Sequence, residues 1–92
     1  MAKVEIYTKS WCGYSVAAKA LLDAKAVPYT DIDVTTDRDT EVAMIERSGA
    51  YTVPQIFIDG RGVGGYDQLS ALDARGELDP LLDGNGTRGV EQ

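Results

Sequence analysis

The chain has 92 residues with a hydrophobic share of 43%, which allows one domain with a modest core. Its formal net charge of −6 disfavours nucleic acid as a partner, because phosphate binding needs a cationic surface, and no apolar run approaches the ~18 residues of a membrane span. The chain has one cysteine, no histidine and no hydrophobic signal segment. We therefore expect a cytoplasmic protein that has no membrane anchor, no Cys-His nucleophile and none of the usual metal ligands.

The first third of the chain predicts two strands around a helix. Residues 3–8 alternate polar and apolar side chains, as a strand does. Residues 13–25 carry small and apolar side chains at spacings of three and four, which predicts a helix that ends before Pro28. A second short strand is predicted within residues 28–34. Because a helix joins them, these strands are expected to be parallel and joined by a right-handed crossover.

A second helix is predicted over residues 41–48. Thr36 and Asp37 are the candidates for its N-cap, and Gly49 is the candidate for its C-cap. The side chains expected to face the core are Val42, Ile45 and Met44.

A hairpin and a third helix follow. Residues 55–59 form an apolar strand, and Asp59-Gly60 is a two-residue hairpin signal before a returning strand over residues 61–64. Asp67 is expected to cap a third helix, and a last helical turn is expected at the end of the domain.

The whole pattern predicts an α/β fold of order β-α-β-α-β-β-α, with a four-stranded mixed sheet and three or more helices. The domain is expected to span residues 1–82, and the polar, glycine-rich residues 83–92 are expected to form a frayed tail.

Cys12 is the candidate for chemistry. It lies in Trp11-Cys12-Gly13-Tyr14-Ser15, where the first strand gives way to the first helix. A thiol there meets unpaired backbone N–H groups and the positive end of the helix dipole, and both favour the nucleophilic thiolate. The alternative, a small buried cysteine without chemistry, is disfavoured by the polar and aromatic residues around it. Ser15 stands where a C-x-x-C redox motif has its second cysteine, so the chain cannot close an internal disulfide.

Three separated motifs resemble those of the glutaredoxins, which have the thioredoxin-like fold. Residues 9–15 (Lys-Ser-Trp-Cys-Gly-Tyr-Ser) resemble the active-site loop, residues 52–55 (Thr-Val-Pro-Gln) the loop with a cis proline, and residues 64–67 (Gly-Gly-Tyr-Asp) the glutathione-binding turn. The family's usual active site is Cys-Pro-Tyr-Cys, so the chain looks like a dithiol glutaredoxin with a monothiol site. Such a sequence fits equally a natural monothiol protein and a dithiol protein in which serine has replaced the second cysteine.

The resemblance implies a monomeric enzyme that uses glutathione to reduce glutathionylated or disulfide-bearing proteins, with Cys12 as nucleophile. The catalytic residues it implies are Cys12, Tyr14 and Ser15. The glutathione-binding residues it implies are Lys9, Cys12, Tyr14, Thr52, Val53, Pro54, Gly65, Tyr66 and Asp67. Secondary candidates for the glycyl carboxylate are Arg38, Arg47 and Gln55.

Several of these residues can also be explained by a structural role alone. Ser15 can satisfy its own backbone at the helix start, and Lys9 can be merely solvated. Pro54 can begin a strand with a trans bond, and Asp67 can act as a helix cap alone.

Two other classes of function stay open at this point. One is a dimer that holds a [2Fe–2S] cluster through Cys12 of each chain and two glutathione thiols, for which Gly13 is permissive. The other is an inert adaptor with the thioredoxin fold.

Overall fold

The computed structural model describes residues 2–84, so most of the segment predicted to be a frayed tail, residues 83–92, lies outside the described residues. Eight elements follow one another in the predicted order, with the last helix at the position of the expected final turn. They are β1 (Val4–Thr8), α1 (Gly13–Ala24), β2 (Thr30–Asp33), α2 (Arg38–Ser48), β3 (Gln55–Ile58), β4 (Arg61–Gly64), α3 (Tyr66–Ala74) and α4 (Leu78–Leu82).

The four strands form one mixed sheet in the order β2-β1-β3-β4. β1 and β2 are parallel, as expected for strands joined by α1. β3 runs antiparallel to β1, with Ile56 opposite Ile6, and β4 returns beside β3 as a hairpin. The predicted turn residues Asp59 and Gly60 both have positive φ angles, 53° and 80°. The predicted α/β, thioredoxin-like architecture is therefore confirmed.

Helices cover both faces of the sheet. One face packs against α1, α3 and α4 through the larger apolar cluster, which includes Ile6, Leu22, Ile56, Leu69 and Leu78. The other face packs against α2 through Tyr7, Val34, Met44 and Phe57. The central strand β1 is thus held from both sides, and the loop after its carboxyl end, which carries Cys12, starts from a rigid base.

The start of α2 differs from the prediction. The helix begins at Arg38, and Asp37 is its N-cap, since the Asp37 carboxylate accepts a hydrogen bond from the Thr40 N–H at 3.1 Å. Met44 is completely buried, whereas Val42 is 37% exposed and was wrongly placed in the core. Two positions along a helix differ by about 200°, so burial of Met44 turns Val42 outward.

The start of α3 also differs. Gly65, not Asp67, is the N-cap, and Asp67 lies in the first turn of the helix. Gly65 has an extended backbone, and the Gln68 side chain accepts a hydrogen bond from its N–H at 2.9 Å. The side chain of Gln68 therefore stabilises this helix start, and the predicted cap at Asp67 was wrong because a glycine can also serve as N-cap.

Candidate functional site

Cys12 is the N-cap of α1. Its backbone is extended (φ −85°, ψ 117°), its carbonyl accepts from the Val16 N–H at 3.1 Å, and its N–H donates to the Lys9 carbonyl at 3.2 Å. A Cβ placed on Gly13 would meet no atom within 4 Å, so packing does not require glycine there. The first N–H groups of α1 have no partner within the helix, and they surround the sulfur.

The environment of Cys12 favours its thiolate. Burial raises the pKa of the thiol, but three hydrogen bonds oppose it, from the backbone N–H and the hydroxyl of Ser15 and from the backbone N–H of Tyr14. The positive charge of Lys9 adds to them, and the net effect holds the pKa of Cys12 below its ordinary value. The sulfur is therefore suited to nucleophilic attack.

Ser15 is completely buried beneath this sulfur. Its hydroxyl oxygen accepts a hydrogen bond from the Lys9 N–H at 3.4 Å, which leaves the hydroxyl hydrogen for the sulfur of Cys12. The side chain contacts the loop and the thiol together, rather than only its own backbone.

The loop before β3 lies against Cys12 from the other side. The Val53–Pro54 peptide bond is cis, as the resemblance implies, and the Cys12 thiol donates to the Val53 carbonyl oxygen at 3.6 Å. The amide of Gln55 donates to the carbonyl and hydroxyl oxygens of Thr52, at 3.0 and 3.3 Å. These contacts fix the polar backbone of the loop beside the sulfur.

A groove of about 660 Å³ lies between this loop, α1 and the start of α3. It brings together seven of the predicted site residues: Tyr14, Thr52, Val53, Pro54, Gly65, Tyr66 and Asp67. Five further residues also line it: the secondary candidate Gln55, and Ser48, Ala50, Gly64 and Gln68, which had no assigned role. The aromatic rings of Tyr14 and Tyr66 lie 6.3 Å apart, so the two motifs that carry them form one surface.

The Gly64-Gly65 turn has little room for side chains. A Cβ on Gly64, whose φ is 113°, would lie 3.1 Å from the Gln68 side chain, and one on Gly65 would lie 3.3 Å from the Pro54 carbonyl oxygen. Gln68 is a site residue that the sequence argument missed. The signal for it was available, because a glutamine three positions after an N-cap is half of a capping box.

Lys9 does not line the groove. Its ammonium lies 2.8 Å from a carboxylate oxygen of Glu41 and 6.0 Å from the centre of the Trp11 ring. Glu41 also accepts from Arg38 at 3.0 Å. Glu41 was missed as well, and no local sequence signal announces a contact between a loop and a helix more than thirty positions later.

The three secondary candidates for the glycyl carboxylate lie in different places, and one of them is in the groove. Arg47 is held by the Glu5 carboxylate at 2.8 Å and the Tyr7 hydroxyl at 3.2 Å, with its guanidinium 3.8 Å from the centre of the Phe57 ring. Arg38 is paired with Glu41, and only Gln55 lines the groove. The arrangement makes Arg47 a structural residue of the α2 face.

Among residues 2–84, no group of three or more histidine, cysteine or acidic side chains is placed to hold a metal ion. Cys12 is a free cysteine, and no other feature of residues 2–84 supports the [2Fe–2S] interpretation. None of the helices within that range is long and apolar enough to cross a membrane.

Comparisons with known proteins decide the family. The glutaredoxin family model matches residues 4–63. Glutaredoxin 3 of Escherichia coli (strain K12) is 55% identical over 82 residues, which cover 89% of this chain and 99% of that protein. The chain belongs to the glutaredoxin family. It is accordingly an oxidoreductase of the thiol–disulfide class, as predicted.

Solved glutaredoxin structures agree with this membership. A buckwheat glutaredoxin, crystallised as a complex with glutathione, matches with a TM-score of 0.84 and 30% identity, over 92% of this chain and 80% of that chain. A glutaredoxin from Brucella melitensis matches with a TM-score of 0.79 and 46% identity, over 89% of each chain.

Proposed function

We propose that this glutaredoxin reduces mixed disulfides between proteins and glutathione, with Cys12 as the only thiol of the protein that takes part. The observation that carries the proposal is the position of the activated Cys12 sulfur, which contacts the carbonyl of Val53, a residue that lines the groove. The buried Ser15 beside it cannot resolve a disulfide. The buckwheat glutaredoxin crystallised with glutathione supports the choice of ligand.

The groove offers complementary groups to each part of glutathione. The backbone of Val53 beside Cys12 suits the cysteinyl residue, which would pair with it like an added strand. The free N–H groups at the start of α3, at Tyr66 and Asp67, suit the γ-glutamyl carboxylate. The exposed carboxylate of Asp67 suits the α-ammonium group. A volume of about 660 Å³ is within the range of small-ligand sites.

The first chemical step transfers glutathione to the enzyme. The Cys12 thiolate attacks the glutathione sulfur of the mixed disulfide, the new Cys12–glutathione disulfide forms, and the protein thiolate leaves and takes a proton from water. The backbone N–H groups of Tyr14 and Ser15 stabilise the charge on Cys12 before the attack. The substrate protein is reduced and Cys12 is oxidised.

The second step restores the enzyme. The thiolate of a second glutathione attacks the glutathione sulfur held on Cys12, so glutathione disulfide is released and the Cys12 thiolate returns. Neither step needs a second cysteine, and one chain suffices, so we expect a monomer. The cycle requires a compartment that maintains reduced glutathione, such as the cytoplasm.

The test is turnover of a glutathionylated peptide in the presence of reduced glutathione. The wild-type protein should release the reduced peptide catalytically, and Cys12→Ser should not. A peptide that carries an intramolecular disulfide should not be reduced when glutathione is left out. The proposal would be contradicted if the wild-type protein did not act on the glutathionylated peptide but did reduce the peptide with the intramolecular disulfide.

A further inference from the structure

The cation beside Cys12 is already paired with an anion. The ammonium of Lys9 lies 2.8 Å from Glu41, and the two side chains keep only 25% and 16% of their surface exposed. The other groups that face this pair are the Trp11 ring, 6.0 Å from the ammonium, and the guanidinium of Arg38, which is 74% exposed and therefore well screened by water.

We propose that Glu41 is a positioning residue that holds the Lys9 ammonium on α2 and so reduces the positive charge that Lys9 presents to Cys12 and to anionic ligands that approach the sulfur. The part of this proposal that concerns glutathione rests on the proposed function. The part that concerns the thiol does not.

Hydrogen bonds hold the backbone on each side of the ion pair, at Glu41 and at Lys9. Glu41 lies in the first turn of α2, where its N–H donates to the carbonyl of the N-cap Asp37 at 3.0 Å. On the other side, the Lys9 N–H donates to Ser15, and the next residue, Ser10, donates through its N–H to the Thr35 hydroxyl at 2.8 Å. The backbones that carry Lys9 and Glu41 are therefore held in place, which keeps the two side chains within reach of each other.

The charges around the sulfur explain the consequence. The groups that face Cys12 are the N–H groups and hydroxyl of α1, the Val53 carbonyl and the Lys9 ammonium. Glu41 partly neutralises that ammonium, so less of its positive charge acts on the Cys12 thiolate and on an incoming carboxylate. An ion pair with access to water is weak, so a bound carboxylate can exchange with Glu41 for the ammonium.

The direct test compares two alkylating reagents of different charge. For Glu41→Gln, the rate of alkylation of Cys12 by anionic iodoacetate should rise relative to that by neutral iodoacetamide, by about two- to fivefold at low ionic strength. The midpoint of alkylation against pH should move down. Asp39→Asn is the matched control, since Asp39 is an exposed acidic residue of the same helical turn and its loss changes the net charge equally. An equal change of the ratio in both variants would overturn the proposal.

Removal of Lys9 shows whether Glu41 acts through it. In a Lys9→Met background, Glu41→Gln should leave the ratio of the two alkylation rates almost unchanged. If the ratio still rises by the full amount, Glu41 acts by its own charge, and its positioning role is refuted. Glu41→Ala should behave as Glu41→Gln does, which separates the effect of charge from that of the amide.

The part of the proposal that concerns glutathione is tested by a separate measurement, the kinetics of a glutathionylated peptide. Glu41→Gln should lower the KM for a glutathionylated peptide by about two- to fivefold and leave kcat nearly unchanged, because the freed ammonium binds the ligand carboxylate. An unchanged KM would overturn this part. Failure of the proposed function would look different, since the wild-type protein would then not turn over the peptide at all, while the alkylation ratios would still report on Glu41.

Discussion

The hydroxyl oxygen of Ser15 lies 3.4 Å from the backbone nitrogen of Lys9, and no part of the Ser15 side chain is exposed. Ser15 therefore links the active-site loop to the first turn of α1 while its hydrogen is available to the Cys12 sulfur. The position of a resolving cysteine is thus occupied by a group that stabilises the thiolate instead of attacking its disulfides.

The first prediction concerns this hydroxyl. Ser15→Ala should raise the pKa of Cys12, because a hydrogen bond to the thiolate is lost while those of the Tyr14 and residue 15 N–H groups remain. The ultraviolet absorbance of the thiolate, followed against pH, measures this pKa. Ser70→Ala, on α3, is the control. An unchanged midpoint in Ser15→Ala would show that the backbone N–H groups alone stabilise the charge.

The second prediction concerns Asp67. Asp67→Asn should raise the KM for a glutathionylated peptide by about fivefold, as expected for loss of one exposed ion pair, and should barely affect a mixed disulfide whose thiol lacks the γ-glutamyl group. Because Asp67 lies in the first turn of α3 and is not its cap, the free energy of unfolding should fall by only about 0.3–1 kcal/mol.

Asp39→Asn provides the comparison for Asp67, since Asp39 lies in the first turn of α2 and does not line the groove. It should lower stability similarly and leave both KM values as they are. Equal losses of affinity for the two mixed disulfides in Asp67→Asn would reduce Asp67 to a helix-stabilising residue.

The third prediction concerns the ion pair of Glu5 and Arg47 on the other face of the sheet. The hydrogen bond from Arg47 holds the pKa of Glu5 below its ordinary value, with burial opposing and the charges of Arg47 and Lys3 adding. A depressed folded-state pKa stabilises the protein above the ordinary pKa, and this contribution disappears as pH falls through the folded-state pKa. Glu5→Gln should therefore lower the free energy of unfolding by about 1 kcal/mol or less at neutral pH.

The same difference should vanish once the pH has fallen below the lowered folded-state pKa of Glu5, where Glu5 is protonated in both states. Urea unfolding of the wild-type and variant proteins at a series of pH values measures it. Glu46→Gln, at an exposed position on the same helix as Arg47, is the control with the same change of net charge. A wild-type advantage that stays constant down to the lowest pH would assign the effect of Glu5 to packing.

Much of the fold followed from local patterns. The 3- and 4-residue spacing predicted α1, and the Asp59-Gly60 signal predicted the hairpin, because both depend on residues close in sequence. The helix starts were harder, since several residues near each start can act as caps. Asp67 was predicted as the cap from its side-chain chemistry, while the structure uses the Gly65 backbone and the Gln68 amide.

The candidate site, like the fold, has features that local sequence predicts and features that it does not. The motifs predicted seven residues that line the groove and the cysteine whose thiol contacts the Val53 carbonyl, because each motif is a continuous segment. The pair of Lys9 with Glu41 and the stacking of Arg47 on Phe57 depend on the packing of α2 against the sheet, which no segment encodes alone. These long-range contacts are where the sequence argument was incomplete.

The last prediction tests the single-thiol chemistry. Treatment of the wild-type protein with glutathione disulfide should give one glutathione adduct per chain, because Cys12 is the only cysteine. The adduct should persist, since no second thiol can displace it, and excess reduced glutathione should reverse it. Intact mass, before and after reduced glutathione, measures both steps.

Ser15→Cys should change this outcome. Two cysteines at C-x-x-C spacing at a helix start can bridge, and the high effective concentration of the internal thiol favours its attack on the Cys12 adduct. The adduct should then collapse to an intramolecular disulfide, with a mass lower by two hydrogens than that of the reduced variant. The double variant Cys12→Ser, Ser15→Cys is the control, and its single buried thiol should form little adduct. A persistent adduct in Ser15→Cys would show that position 15 cannot reach the sulfur of Cys12, and absence of any adduct on the wild-type protein would refute Cys12 as the nucleophile.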